Sequence, residues 1–161
     1  MSILERIILL IYFPQFKSPT NSRFEGFFLS ILKKENPYHN KSVIIYPEKI
    51  IRNEDKRTSI IIKGFPRDMS KKEIKDFLEK FGNLNYLFII YDFSDENNSS
   101  IAYTNFINYK TIIPIYMNLR NYKLIKNGQI YTFEIMYSKV QGKEKLKKYI
   151  KQIYLCKKSP K

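Results

Sequence analysis

The sequence has very few of the residues that catalytic and metal-binding sites require. One cysteine, Cys156, and one histidine, His39, exclude an internal disulfide, a cysteine-rich zinc site and a Ser-His or Cys-His catalytic pair. Only five glycines are present, and no glycine-rich loop that would cradle a phosphate is among them. We therefore expect a protein that is not an enzyme and that needs no metal or cofactor.

Long apolar runs are also missing. The longest wholly apolar run near the N-terminus, Ile7 to Phe13, is too short to cross a bilayer, and it follows a charged pair, Glu5 and Arg6. No small-residue cleavage site follows it, which argues against a signal peptide. Together with the scarcity of cysteine, this favours an intracellular protein, nuclear or cytoplasmic.

Acidic residues are scarce relative to basic ones. Lysine and arginine number 29 against 15 acids, which gives a formal net charge of +14. The segment from Lys139 to Lys161 contains nine lysines and one acid, Glu144, and so carries +8 by itself. Such a surplus favours a polyanionic partner, either nucleic acid or an anionic membrane surface. A tail that only aids solubility is the alternative, but these lysines accompany an amphipathic pattern.

Residues 1–43 are predicted to form an extension with one amphipathic helix near 23–34. Ser22 and Glu25 have the spacing of a capping box, and Asn36-Pro37 ends the helical pattern. The apolar face of this helix either packs on its own domain or docks a protein partner. Its members are Phe24, Phe27, Phe28, Ile31 and Leu32.

Residues 44–154 are predicted to form one α+β domain, followed by a basic tail over 155–161. A helix begins after Ser70, whose spacing to Glu73 is that of a capping box, and ends at Gly82. A second helix is expected over 109–119 and a third from about Lys143. Strands are expected over 59–63, 84–93, 101–106 and 130–140. The order β-α-β-β-α-β is the ferredoxin-like pattern, a four-stranded antiparallel sheet with two helices on one face.

Two of these strands resemble the paired signature motifs of RNA-recognition motifs. Residues 60–65 (IIIKGF) are similar to the first-strand hexamer, and residues 99–106 (SSIAYTNF) are similar to the third-strand octamer. Ile61 and Ile101 stand where the family usually has stacking aromatics, whereas Tyr103 keeps that role. The resemblance implies a sandwich fold that stacks unpaired RNA bases on the open sheet face.

A longer stretch, roughly 46–152, resembles the C-terminal RNA-recognition motif of the Mei-two-like meiosis regulators of fungi and plants. The similarity is carried by a lead-in over 48–58, by a helix with the residues IIPIY over 112–116, and by YSKVQGK over 137–143. It implies single-stranded RNA binding in post-transcriptional control, in meiosis or development.

Side-chain alternation along the strands predicts which residues reach the open face. Ile60 and Ile62 should point into the core, and Ile61 and Lys63 should point out. On the second strand the same reasoning exposes Tyr86 and Phe88, which would displace the stacking platform toward the sheet edge. Burial of both rings under the terminal helix or the extension is the alternative. The predicted RNA-binding residues are Ile61, Lys63, Tyr86, Phe88, Ile101, Tyr103, Met136, Lys139 and Lys143.

The helix from Lys143 has two predicted positions, across the sheet or beside the fourth strand. Its lysine density favours the second position, with the lysines aimed at phosphates. The main alternative function is a protein-interaction module of the same fold, using the apolar sheet face, the N-terminal helix or the C-terminal helix. A peripheral membrane binder is disfavoured, because packing explains the apolar side of the last helix equally well.

Overall fold

A computed structural model describes residues 43–91, 96 and 98–158 of the chain. The helix predicted near 23–34 lies outside these residues. The contacts divide the chain into two units, Met1–Ser42 and Val43–Lys161. The elements are α1 (Pro47–Ile51), β1 (Ser59–Pro66), α2 (Lys71–Glu79), β2 (Leu84–Tyr91), β3 (Ser99–Phe106), a 3-10 turn (Tyr109–Thr111), α3 (Ile112–Leu119), β4 (Lys123–Lys126), β5 (Gln129–Thr132), β6 (Glu134–Tyr137) and α4 (Lys143–Lys158). The predicted domain limits of 44 and 154 stay predictions.

Four strands form an antiparallel sheet in the order β2-β3-β1-β6. This is the predicted α+β ferredoxin-like fold, with β1 and β3 side by side at the centre. Helix α2 packs on β2 and α3 packs near β6, while α1 lies against α3. The core between the helices and the sheet includes Ile60, Ile62, Phe65, Ile74, Leu78, Ala102, Phe106, Ile112, Ile115 and Leu119.

Helix α2 starts as its sequence requires. The Ser70 hydroxyl accepts a hydrogen bond from the Glu73 N–H at 3.2 Å, and the Ser70 N–H donates to the Glu73 carboxylate at 2.7 Å. These two bonds satisfy N–H groups that have no partner within the helix. Ile74 and Leu78, one turn apart, are buried against the sheet. The predicted capping box and apolar face are thus confirmed.

The prediction of one continuous strand over 130–140 is wrong. Its first part, β5, pairs with β4 in a separate two-stranded hairpin, and only Glu134–Tyr137 joins the main sheet. Asn127 and Gly128 form the two-residue turn with φ of 52° and 76°, the geometry of a type I′ turn. Phe133 is the single residue between β5 and β6, and the centre of its ring is 4.9 Å from the centre of the Phe65 ring. The hairpin is therefore anchored to the core.

Gly64 explains how the hairpin passes over β1. Its φ is +108°, and a Cβ built there would overlap the carbonyl oxygen of Thr132. The register between β1 and β3 shifts at the same point, between Lys63 and Phe65. A glycine at this position allows both the left-handed backbone and the close approach of the hairpin.

Within the part of the chain that the structure describes, no helix is long and apolar enough to span a bilayer. Nor do the described residues include a group of three or more side chains suited to holding a metal ion.

Candidate nucleic-acid interface

The register of the main sheet brings most of the predicted site residues into two rows on one face. Directly opposite residues on neighbouring strands point to the same side of a sheet. The central row consists of Phe88, Tyr103, Ile61 and Met136. The distal row consists of Ile90, Ile101, Lys63 and Glu134. Seven of these eight residues are half-buried, and Glu134 is exposed.

The opposite face of the same strands is closed, as the alternation predicts. Ile60, Ile62, Ala102 and Thr104 are all fully buried. The Thr104 hydroxyl donates a hydrogen bond to the Ile60 carbonyl oxygen at 3.0 Å, so its polar atom is satisfied within the core. The predicted orientation of β1 and β3 is confirmed.

Strand β2 also adopts the predicted orientation. Leu87 is buried and lies opposite Thr104, whereas Phe88 lies opposite Tyr103 on the central row. Tyr86, one row nearer the start of β2, is half-buried, and burial raises its pKa. Tyr103 and Phe88 are therefore adjacent rings on two neighbouring strands.

A polar network closes the end of this face below the central row. The Gln141 side-chain oxygen accepts hydrogen bonds from the backbone N–H groups of Thr58 (3.1 Å) and Ser59 (2.9 Å). Its amide nitrogen donates to the carbonyl oxygens of Ser59 and Ser138, both at 2.8 Å. The Ser59 hydroxyl accepts from the Gly142 N–H at 2.9 Å and donates to Asn105 at 2.6 Å. We call Ser59, Asn105, Gln141 and Gly142 the exit clamp.

The exit clamp starts α4 over the open face. From Gly142, which is bonded to Ser59 on β1, the helix extends across the open face to the edge strand β2 and packs against it. Leu146 and Ile150 are buried on its underside. The pKa of Tyr103 is raised first by burial and then by the electrostatic effect of Tyr149, which belongs to α4. The position favoured from the sequence, beside the fourth strand, is therefore wrong, because α4 lies across the sheet.

Lysines border the remaining face. Lys139 and Lys143 are exposed near the exit clamp. The Lys63 ammonium is 4.0 Å from the Glu134 carboxylate, with 41% and 65% of the two side chains exposed. Solvent screening makes such an exposed pair weak, so Lys63 is available to an incoming anion. Seven of the nine predicted site residues thus lie on one face, whereas Lys139 and Lys143 are exposed residues that flank Gln141 and Gly142 in the sequence.

The segment before β1 is held by an ion pair. The Arg57 guanidinium donates to the Asp55 carboxylate through Nε (2.9 Å) and Nη2 (2.7 Å), and lies 3.8 Å from the centre of the Tyr137 ring. Burial acts to raise the pKa of Asp55, but the bonds from Arg57 outweigh it and lower the pKa overall. The Val43 carbonyl oxygen accepts from the Tyr137 N–H at 2.8 Å.

Residue-by-residue reasoning missed Gln141, Asn105 and Arg57 as determinants of the site. None of them belongs to a hydrophobic pattern, and each acts through hydrogen bonds. The available signal was the longer resemblance, which includes Gln141 and Arg57 among its matching residues.

Comparison with known proteins agrees with the topology. A family model described as RNA recognition motif 2 matches residues 57–151. Protein MEI2-like 5 of Arabidopsis thaliana is 31% identical over 101 residues, 62% of this chain and 13% of that protein. Protein MEI2-like 4 of Oryza sativa subsp. japonica is 27% identical over 101 residues, 62% of this chain and 10% of that protein. The chain thus spans only a small part of the length of these relatives.

Solved structures show weaker similarity. The Mip6 RRM3 domain is 21% identical, with a TM-score of 0.41, and the match covers 51% of this chain and 93% of that one. The Rna15 RRM with bound RNA (GU) is 18% identical, with a TM-score of 0.42, and the match covers 58% of this chain and 96% of that one.

Proposed function

This chain belongs to the RNA recognition motif 2 family as an RNA-binding protein of the MEI2-like type, and we propose that it binds single-stranded RNA on its open sheet face. The observation that carries the proposal is the adjacency of Tyr103 and Phe88 on the central row. Two neighbouring, half-buried rings on one face of a sheet form a platform on which unpaired bases can stack.

The platform is displaced from the position that the family usually uses. Ile61, on the other side of Tyr103, provides an apolar surface but no ring for stacking. Directly opposite side chains of an antiparallel pair have Cβ atoms about 5 Å apart, so Tyr103 and Phe88 can serve consecutive bases of one strand. We propose that RNA crosses from Tyr103 toward β2.

The charges around the platform suit the RNA backbone. Lys63 stands on the distal row, and Lys139 and Lys143 stand near the exit clamp. The whole chain has a formal net charge of +14, which attracts a polyanion over long range. In this proposal the three lysines hold phosphates, while Ile61, Ile101 and Met136 provide apolar contacts to the bases.

Alanine substitution tests the platform. Loss of one base stack weakens binding by about 1–3 kcal/mol, so Tyr103→Ala and Phe88→Ala should each lower affinity for short single-stranded RNA about 5- to 150-fold. Ile130→Ala, which removes an exposed side chain on the hairpin, should leave affinity unchanged. An unchanged Kd for Phe88→Ala would refute the displaced platform, and an unchanged Kd for Tyr103→Ala would refute the site.

We extend the proposal to the cellular role. We propose post-transcriptional control, in meiosis or development, inside the nucleus or the cytoplasm; the names of the MEI2-like relatives support the meiotic part of this role. Imaging of a fluorescent fusion of the full chain tests the location, and exclusion from both compartments would contradict it. The proposal includes no catalytic step, in keeping with a family whose named activity is RNA recognition.

A further inference from the structure

A single carboxylate stands on the open face of the sheet, among side chains that are apolar, aromatic or basic. It belongs to Glu134, on β6 at the end of the distal row, and it is the one acid among the eight residues of the two rows. We propose that Glu134 is a specificity-determining residue that selects guanine by accepting hydrogen bonds from the base. This inference rests on the proposed function, because it names the base that the same RNA site prefers.

Glu134 is placed within reach of a base bound on the distal row. It lies directly opposite Lys63 on β1, which in turn lies directly opposite Ile101 on β3. Neighbouring strands are about 4.8 Å apart, so the backbone of Glu134 is about 10 Å from that of Ile101. A purine that lies on Ile101 with its hydrogen-bonding edge toward β6 spans most of this distance, and the glutamate side chain spans the rest.

The Glu134 carboxylate is accessible to such a base. Its side chain is 65% exposed, and the Lys63 ammonium is 4.0 Å from one of its oxygens. At that distance the two groups attract each other but do not form a hydrogen bond. The lone pairs of the carboxylate therefore remain open to donors from a ligand.

The charge of Glu134 suits a base and does not suit the RNA backbone. A carboxylate repels phosphates and has no donor to offer them, although the neighbouring Lys63 offsets part of that repulsion. The N–H groups of a base, in contrast, form stronger hydrogen bonds with a charged acceptor than with a neutral one. An acid in this position is therefore explained by contact with a base edge.

Guanine fits a carboxylate better than the other bases do. Its N1–H and N2–H₂ groups are adjacent and parallel, so the two carboxylate oxygens can accept from both at once. Adenine and cytosine each present one amino donor next to a ring nitrogen that is an acceptor, and uracil presents one N–H between two carbonyl oxygens. Those acceptors would face the negative carboxylate and repel it. The paired donors of guanine are thus the pattern that Glu134 selects.

Five short RNAs test this preference on the full chain: heptauridine, and the same heptamer with guanosine, adenosine, cytidine or inosine at its centre. The guanosine RNA should bind about 5- to 10-fold more tightly than the adenosine RNA, the lower part of the range for a two-bond contact, because Glu134 is exposed to water. Inosine lacks the N2 amino group and should lose most of that gain. Equal Kd values for guanosine and inosine, or for guanosine and adenosine, would overturn the inference.

A matched pair of variants tests the residue. Glu134→Gln keeps the length of the side chain but leaves one acceptor oxygen beside an amide N–H₂ group, so the preference for guanosine over adenosine should disappear. Its affinity for heptauridine should be unchanged or slightly higher, since a charge that repels phosphates is gone. Asp76→Asn removes one charge from an exposed position of α2, on the closed face of the sheet, and should keep the preference. A preference that survives Glu134→Gln, or that Asp76→Asn also abolishes, would contradict the role of Glu134.

The unmodified chain separates this inference from the proposed function. If it binds all five RNAs with the same affinity, the selection of guanine is refuted while RNA binding stands. If it binds none of them, the proposed function is refuted, and the selection of guanine with it.

Discussion

The ion pair between Asp55 and Arg57 allows a quantitative prediction about the segment that leads into the sheet. Asp55 accepts three hydrogen bonds from Arg57, from Nε at 2.9 Å, from Nη2 at 2.7 Å and from the backbone N–H at 3.2 Å. Only 8% of the Asp55 side chain is exposed, against 29% of the Arg57 side chain. Asp55→Asn keeps the shape of the side chain but leaves one acceptor oxygen, so one N–H of the guanidinium would face an amide N–H₂ group.

The cost follows from these exposures. Breaking a fully buried ion pair by removing one partner costs about 3–5 kcal/mol. Because Arg57 keeps part of its contact with water and can rehydrate, we expect Asp55→Asn to lower the free energy of unfolding by roughly 2 kcal/mol at neutral pH. For a domain that spans residues 43–158, this corresponds to a drop of about 8 °C in Tm.

The pH dependence gives a second, independent readout. The folded-state pKa of Asp55 is lowered, so its contribution to stability is present above the ordinary carboxyl pKa and is lost as the pH falls through the folded value. Urea unfolding should therefore show the largest gap between the unmodified chain and Asp55→Asn at neutral pH, narrowing below about pH 4. Asp76→Asn, at an exposed position on α2, is the matched control. A gap no larger than that of Asp76→Asn would refute the reasoning.

Two further stability predictions follow from the backbone. Gly64→Ala should destabilise the domain by about 1–3 kcal/mol or more, because φ is +108° and the new methyl would meet the Thr132 carbonyl oxygen; an unchanged urea midpoint would show that the hairpin can move aside. Ser70→Ala should lower the free energy of unfolding by about 1 kcal/mol, because it removes the acceptor for the Glu73 N–H; Ser70→Asp, which restores an acceptor, should recover most of that loss in thermal melts.

The sheet and its faces could be predicted from the sequence because they depend on local patterns. Alternating burial along β1 is set by Ile60 and Ile62, which are fully buried, and by Ile61 between them, which is not. The capping box at Ser70 and Glu73 is likewise a short-range signal with a direct physical cause. Such features determine the element order, and the element order determines which strands are neighbours.

The hairpin was missed although its turn signal is present. Asn127-Gly128 is a strong two-residue turn, but the apolar residues after it continue past Phe133 and look like one long strand. What divides them is a tertiary contact, the burial of the Phe133 ring against Phe65 and Phe77. A contact of this kind across the core is not visible in the spacing of residues within the strand.

The position of α4 could not be predicted for a related reason. The helix itself is local, and its apolar side was recognisable. Its direction depends on Gln141, whose amide joins backbone groups of Ser59, 82 positions away in the chain. Hydrogen bonds of this range have no periodicity to reveal them.

Two features have one common consequence for RNA: the isoleucine at position 61 of the first-strand motif, and the packing of α4 against β2. Ile61 removes a stacking ring from the centre of the sheet, whereas Phe88 adds one on β2, so the aromatic surface shifts toward the edge against which α4 packs. This helix carries exposed lysines at positions 145, 147, 148 and 151. A strand that follows the shifted rings would thereby run toward this lysine-bearing helix, whereas a strand on the usual path over Ile61 would run toward β6. The displacement of the platform and the placement of the helix therefore favour the same RNA path.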